Sequence, residues 1–219
     1  MPAQLRPGDE PLPGLSDRLI DPLDSAPASL SGLSGLVRGD DAVLPWLLPG
    51  VAISAVVSVL IGGLVARALG THRAVATLLV FSLGVIVSAT LTPLGGDLVL
   101  DGGSPGTCDL SRLGLPPLGA FRGLNDASLN VLLFVPLGVA IALLPRSPRT
   151  VAVAIVALLL PVVIETTQLV VPAISRGCES ADVIDNLIGL VVGFVAGLAL
   201  AALARRLDRR GGEVTGDSP

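Results

Sequence analysis

Five stretches of this chain, residues 43–66, 74–92, 128–144, 150–172 and 184–204, are apolar for about the ~20 residues that a bilayer requires. Nothing else in the sequence limits the fold as strongly. Hydrocarbon offers a backbone N–H or C=O no partner, and the runs lack the two-residue alternation of barrel strands, so helices are the only spanning structure open to them. The expectation is an all-α membrane protein, a polytopic bundle of about five transmembrane helices, the third of them the shortest. Apolar residues make up 51% of the 219 and charged residues 15%, with a mean hydropathy of +0.80, which excludes an ordinary soluble domain.

Arginine placement sets the expected orientation, because short cytoplasmic loops hold the positive charge. Arg67 and Arg73 flank the first turn, Arg146 and Arg149 the turn between the third and fourth runs, and Arg205, Arg206, Arg209 and Arg210 follow the last run. All fall on one side if the N-terminus is outside and the C-terminus cytoplasmic. The opposite loops carry Asp97, Asp101, Asp109, Asp126, Glu179, Asp182 and Asp185 against Arg112, Arg122 and Arg176. With a net charge of -4 split across two faces, no basic surface for nucleic acid emerges.

Residues 1–42 are rich in Pro, Ser, Gly and acidic side chains and read as a disordered tail with no cleavable signal peptide; residues 43–204 form the transmembrane domain and 205–219 a cytoplasmic tail, disordered at 211–219. Trp46 is the one clear interfacial aromatic. Cys108 and Cys178 both fall in outward loops, where a disulfide can persist; they form either that bridge or two free thiols. Residues 110–124 suit a re-entrant or surface segment at the membrane interface, with Arg112 and Arg122 reaching headgroups. Asp126 and Asn130 open the third run and Asp182 and Asn186 the fifth, at the same i, i+4 spacing, which hints at two hairpins in parallel orientation.

The chemistry concentrates near the outer ends of the last two runs. Pro161, Glu165, Gln168 and Pro172 follow spacings of 4, 3 and 4 and line one helix face, with Thr166 and Thr167 beside it. A carboxylate in a membrane helix costs several kcal/mol unless it is paired or faces water, so Glu165 is either a functional group or an interhelical bond to Asn130, Asn186 or Arg176. Asp182 has an alternative post as N-cap of the fifth helix. Gly189, Gly193 and Gly197 repeat every four residues and mark a helix-packing face. The G-x-S-x-G match at 102–106 sits in a Gly/Pro loop and the single His72 lies on the other face, so no Ser-His-acid triad can assemble. No catalytic residue is assigned and no cofactor or metal is expected, a cation at Glu165, Asp182 and Asp185 being a minor alternative.

Together, Asn130-x-x-x-Phe134-x-Pro136-x-Gly138, Glu165-x-x-Gln168, then Arg176, Asp182, Asp185-Asn186, Gly189 and Gly193 resemble the VanZ-like family, as does Thr90-Leu91-Thr92-Pro93 closing the second run. The resemblance covers about residues 75–197 and implies a bacterial integral membrane protein, related to one associated with decreased teicoplanin susceptibility. The long acidic tail and the two loop cysteines depart from the family's core pattern. The leading expectation is a non-catalytic protein of the bacterial cell membrane. An outward polar pocket of Asn130, Glu165, Gln168, Arg176, Asp182, Asp185 and Asn186 would engage a lipid-linked cell-wall precursor or a lipophilic glycopeptide antibiotic. The rivals are a membrane enzyme acting on a polyprenyl or glycolipid substrate, with Glu165 and Asp182 or Asp185 as acid and base, and a transporter or structural scaffold.

Overall fold

The computed structural model describes residues 46–93, 107–116, 119, 125–174 and 176–214. The N-terminal tail, the G-x-S-x-G segment and Arg122 lie outside the described residues. Five α-helices follow in order: α1 Leu47–Leu69, α2 Arg73–Thr90, α3 Asp126–Ala142, α4 Pro148–Val170 and α5 Ser180–Val214. The described residues also include a 3₁₀ turn, Pro172–Ile174, and two short strands, β1 Cys108–Asp109 and β2 Cys178–Glu179. Four helices are long and apolar enough to cross a membrane; α3, with 17 residues, is the shorter fifth.

Local chemistry sets the helix ends. At the end of α1, Gly70 adopts φ 65° and donates its N–H to the Ala66 carbonyl, a left-handed stop that a Cβ would penalise. The N-terminus of α3 is closed by a reciprocal cap in which Asn125 accepts from the Ser128 N–H and the Ser128 hydroxyl accepts from the Asn125 N–H. Ser147 caps α4, and Pro148 follows in the first turn, where its missing N–H costs nothing. Helix α5 continues to Val214, well past residue 204 and into the segment expected to be a disordered tail. Residues 199–210 are dominated by Ala, Leu and Arg, strong helix formers with no breaker before Gly211.

The shortest helix is the central one. Phe134, Leu137 and Ile141 of α3 form the core with Leu79 and Ile86 of α2, Ala157 and Ile164 of α4 and Leu190 of α5. Most large apolar side chains of α1, α4 and α5 point outward instead, Leu60, Leu64, Val156 and Val195 among them. In lipid, apolar burial does not pull helices together; close backbone approach does.

Two small-residue stripes supply that approach. On α5, Gly189, Gly193 and Gly197 meet the backbone carbonyls of Val131, Val135 and Val139 of α3, while Gly138 of α3 meets the carbonyl of Leu190. The paired numbers rise together, so α3 and α5 run parallel. A Cβ at Gly197 would stand 2.9 Å from the Val139 oxygen and 2.7 Å from the Ala142 Cβ, and one at Gly189 or Gly193 would overlap the facing oxygen outright. Contacts this close suit Cα–H···O bonds along the whole seam.

The second stripe goes beyond the expectations from sequence, although its four-residue spacing is plain there. Ser54, Ser58, Gly62 and Ala66 are the buried residues of α1, and they continue the line begun by Gly50. Gly50 abuts Ser88, Gly62 abuts Thr77, and Gly84 of α2 abuts Ser54, an antiparallel register. The hydroxyls along this seam bond to carbonyls one turn back, Ser54 to Gly50 (2.6 Å) and Ser88 to Gly84 (2.8 Å), so they enter an apolar layer already satisfied.

Charge divides between the two ends of the bundle. Arg149, in the first turn of α4, donates to the Ala68 carbonyl at the end of α1, the negative pole of that helix, and Arg67 and Arg73 lie at the same end. At the other end α2 and α4 finish and α3 and α5 begin. The two finishing helices are tied there by the Gln168 Nε2, which donates to the Thr90 carbonyl at 2.9 Å.

Candidate functional site

The acidic end is organised by the strand pair. Cys108 stands directly across from Cys178 in a parallel register, the two are joined by a disulfide with Cα atoms 4.4 Å apart, and the Cys178 N–H donates to the Thr107 carbonyl. Asp109 then accepts the Ser111 N–H at 2.7 Å, a tight turn whose amide holds the Asp109 carboxyl below its ordinary range. That turn aims Arg112 at α5. Its Nη2 donates to Asp185 Oδ2 and to the Ala181 carbonyl (3.1 Å), and the Ser180 hydroxyl donates back to the Arg112 carbonyl (2.8 Å).

The expectation that Arg112 reaches headgroups is therefore corrected. Its side chain is 28% exposed and its partner Asp185 only 1%, whereas the neighbouring Leu110, Leu113 and Leu115 stand 60%, 75% and 81% exposed. Asp185 inside an apolar bundle requires a cation, and the disulfide holds one beside it; the leucines take the outward positions.

Glu165 and Gln168 share the buried face that their spacing dictates, each 4% exposed, with Pro161 also buried on it. The carboxylate partner differs from those expected. Glu165 Oε2 accepts the backbone N–H of Glu179 at 2.7 Å rather than bonding Asn130, Asn186 or Arg176, so one side-chain bond ties α4 to β2. Thr166 and Thr167 return their hydroxyls to the carbonyls of Val162 and Val163, each at 2.7 Å, and take no part in the cluster.

Arg176, in the turn before β2, is half-buried within electrostatic reach of Asp182, Glu165 and Asp126. Burial lowers its pKa and the three carboxylates oppose that shift. Glu179 is half-buried too, and burial, then Asp109 and Asp126, raise its pKa, Arg112 opposing them. Helix α5 starts at Ser180, so Asp182 lies within the first turn, near the positive pole, instead of capping it. Asn130 is half-buried on α3, and Asn186 is 1% exposed.

Several buried polar atoms in this cluster have no hydrogen-bond partner: Nε and Nη2 of Arg176, Nη1 of Arg112, Oδ1 of Asp185 and Oδ1 of Asn186. Desolvated donors and acceptors left unfilled are costly, so the cluster suits water or a ligand with both donors and acceptors. Among the described residues, Glu165, Asp182 and Asp185 do not converge as a metal-holding group. An open groove of about 660 Å³ lies elsewhere, between α1 and α2, where Arg73 Nη2 donates to the Val59 carbonyl at 2.9 Å.

Sequence reading did not assign Arg112 to Asp185, the Glu179 amide to Glu165 or the Thr90 carbonyl to Gln168. Only the first had a signal: a bridge between Cys108 and Cys178 brings Arg112, four residues after one cysteine, beside the start of α5.

A family model described as VanZ/LLP1 matches residues 79–201, which take in every residue of the cluster and leave α1 outside. Neither the curated proteins nor the solved structures contain a match to the chain.

Proposed function

The chain belongs to the VanZ/LLP1 family, and from that premise we propose that it is a multi-pass protein of the bacterial cell membrane. Its outward polar cluster would engage a lipid-linked cell-envelope component or a lipophilic glycopeptide, lowering susceptibility to antibiotics such as teicoplanin. The observation that carries this reading is the group of unfilled, buried polar atoms on Arg176, Arg112, Asp185 and Asn186 at one end of an apolar bundle. Groups of this kind inside a membrane protein mark ligand or ion paths more often than scaffolding.

The placement takes all five helices as crossings. Parallel α3 and α5 require α4 to return between them, and the rise of α3, ~26 Å, approaches a hydrocarbon thickness of ~30 Å. An odd number of crossings sets the two termini on opposite sides, and the arginine placement favours the N-terminus outside. On intact cells, a membrane-impermeant maleimide is expected to label Cys108 and Cys178 only after an impermeant reductant has been added. Labelling confined to lysed cells would reverse the orientation, and labelling without reductant would remove the bridge.

The enzyme reading gains less support, because the Glu165 carboxylate is already engaged by the Glu179 amide. In a teicoplanin-sensitive Gram-positive host, expression of the wild type is expected to raise the inhibitory concentration, and Arg176→Ala to abolish that rise. Glu165→Ala is expected to weaken it, with Glu165→Gln, which keeps an acceptor for the amide, retaining most of it. A wild type that reaches the membrane and leaves susceptibility unchanged would overturn the resistance reading.

A further inference from the structure

The charges of the cluster are unbalanced in an informative way. Asp185 is neutralised by Arg112. Arg176 then lies within electrostatic reach of Asp182, Glu165 and Asp126, and Glu179 within reach of Asp182. A simple anion entering here would meet more carboxylates than guanidinium, and a simple cation would leave Arg176 unfilled.

The unfilled edge of Arg176 is itself specific. Nε and Nη2 are the two donors on one side of the guanidinium plane, the pair that grips two oxygens of a phosphate or carboxylate at once. Asp126, Glu179 and Asp182 offer carboxylates with no ion pair among the described residues. They would accept from a group bearing several N–H donors, as would the unpartnered Oδ1 of Asn186.

We propose that this cluster binds a zwitterionic lipid headgroup that joins an oxyanion to a primary ammonium, as phosphatidylethanolamine does. The oxyanion rests on the side-on edge of Arg176, and the ammonium lies among Asp126, Glu179 and Asp182. A lipid source fits the position, because Glu165 stands five residues before Val170, ~7–8 Å inside the end of α4, on a helix whose Val162, Val163 and Val170 face outward. This assignment rests on the reading of the cluster as a ligand site and narrows it to one headgroup chemistry.

The test is lipid retention by the full-length protein in native mass spectrometry, with phosphatidylethanolamine, phosphatidylcholine and phosphatidylglycerol offered in competition. Phosphatidylethanolamine is expected to be held about tenfold or more tightly than either competitor, because trimethylation removes the ammonium donors of one and the other has no cation. Arg176→Ala, and Arg176→Lys, which keeps the charge and loses the fork, are expected to abolish the preference. Asp182→Asn, which keeps a similar shape, is expected to bring phosphatidylethanolamine and phosphatidylglycerol close to parity. An intact disulfide and a wild-type melting profile identify the variants that have folded.

Retention of phosphatidylglycerol as tightly as phosphatidylethanolamine, still dependent on Arg176, would overturn the ammonium assignment and leave the ligand site standing. Retention of every lipid undiminished in folded Arg176→Ala would overturn both. Free phosphoethanolamine binding as tightly as the lipid would replace the membrane source with a soluble one.

Discussion

Alanine at Gly193 is expected to push α3 and α5 apart and to lower the stability of the bundle by about 3 kcal/mol, near the upper end for overpacking. The new Cβ would overlap the Val135 carbonyl oxygen, a backbone atom that no rotamer change can move aside. The neighbouring contacts at Gly189, Gly197 and Gly138 belong to the same seam, so shifting one helix to relieve the overlap loosens the others. Gly63 supplies the control. A Cβ there meets nothing within 4 Å, so Gly63→Ala removes backbone freedom without a clash and is expected to be neutral or to stabilise by up to ~1 kcal/mol. Unfolding in mixed micelles with increasing denaturing detergent compares the two directly; equal midpoints would mean that the seam does not hold α3 on α5.

The second large effect is at the ion pair, where the two partners are expected to respond unequally. Arg112→Ala strands Asp185, which is 1% exposed, and should cost towards ~5 kcal/mol; Asp185→Ala strands a guanidinium that is 28% exposed, and should cost nearer ~3 kcal/mol. The double change Arg112→Met with Asp185→Leu removes both charges and is expected to be less damaging than Arg112→Ala alone, since most of the penalty belongs to the abandoned charge. The same unfolding titration reads all three variants. A double change that costs as much as Arg112→Ala or more would show that the abandoned charge is not the source of the penalty.

The course of the helices was largely legible from the sequence. Each apolar run produced one helix because a backbone in hydrocarbon has no other way to satisfy itself, and apart from the C-terminal end of α5 the boundaries moved by only a few residues, to sites such as Ser147-Pro148 and Gly70. The buried face of Glu165 and Gln168 was legible for a related reason: a 3.6-residue period fixes which side chains share a side. The extension of α5 to Val214 was not legible from apolarity, because the run ends at residue 204 while the helix-forming Arg and Leu that follow carry the helix on in a charged segment.

The partners inside the cluster were not legible. Glu165 accepts from the amide of Glu179, and a backbone N–H is present at every position but proline, so no residue type announces it. Arg112 meets Asp185 across 73 positions, and its expected outward pose followed from its loop's composition, which does not know that a disulfide turns that loop inward. The importance of α3 ran opposite to its length. The shortest apolar run sits at the centre because its neighbours shield it, and shielding depends on who packs where.

By itself, then, the sequence determined that the chain forms apolar helices, with acidic and Arg-rich residues assigned to opposite ends and glycine stripes ready for close contact, because solvation and helical periodicity act on each segment alone. Only the tertiary structure decided that α5 lies parallel against α3, that Arg112 neutralises Asp185, and that Arg176 is half-buried within electrostatic reach of Asp182, Glu165 and Asp126. Those outcomes depend on distances between segments far apart in the chain, set here by backbone contact along a seam and by one disulfide.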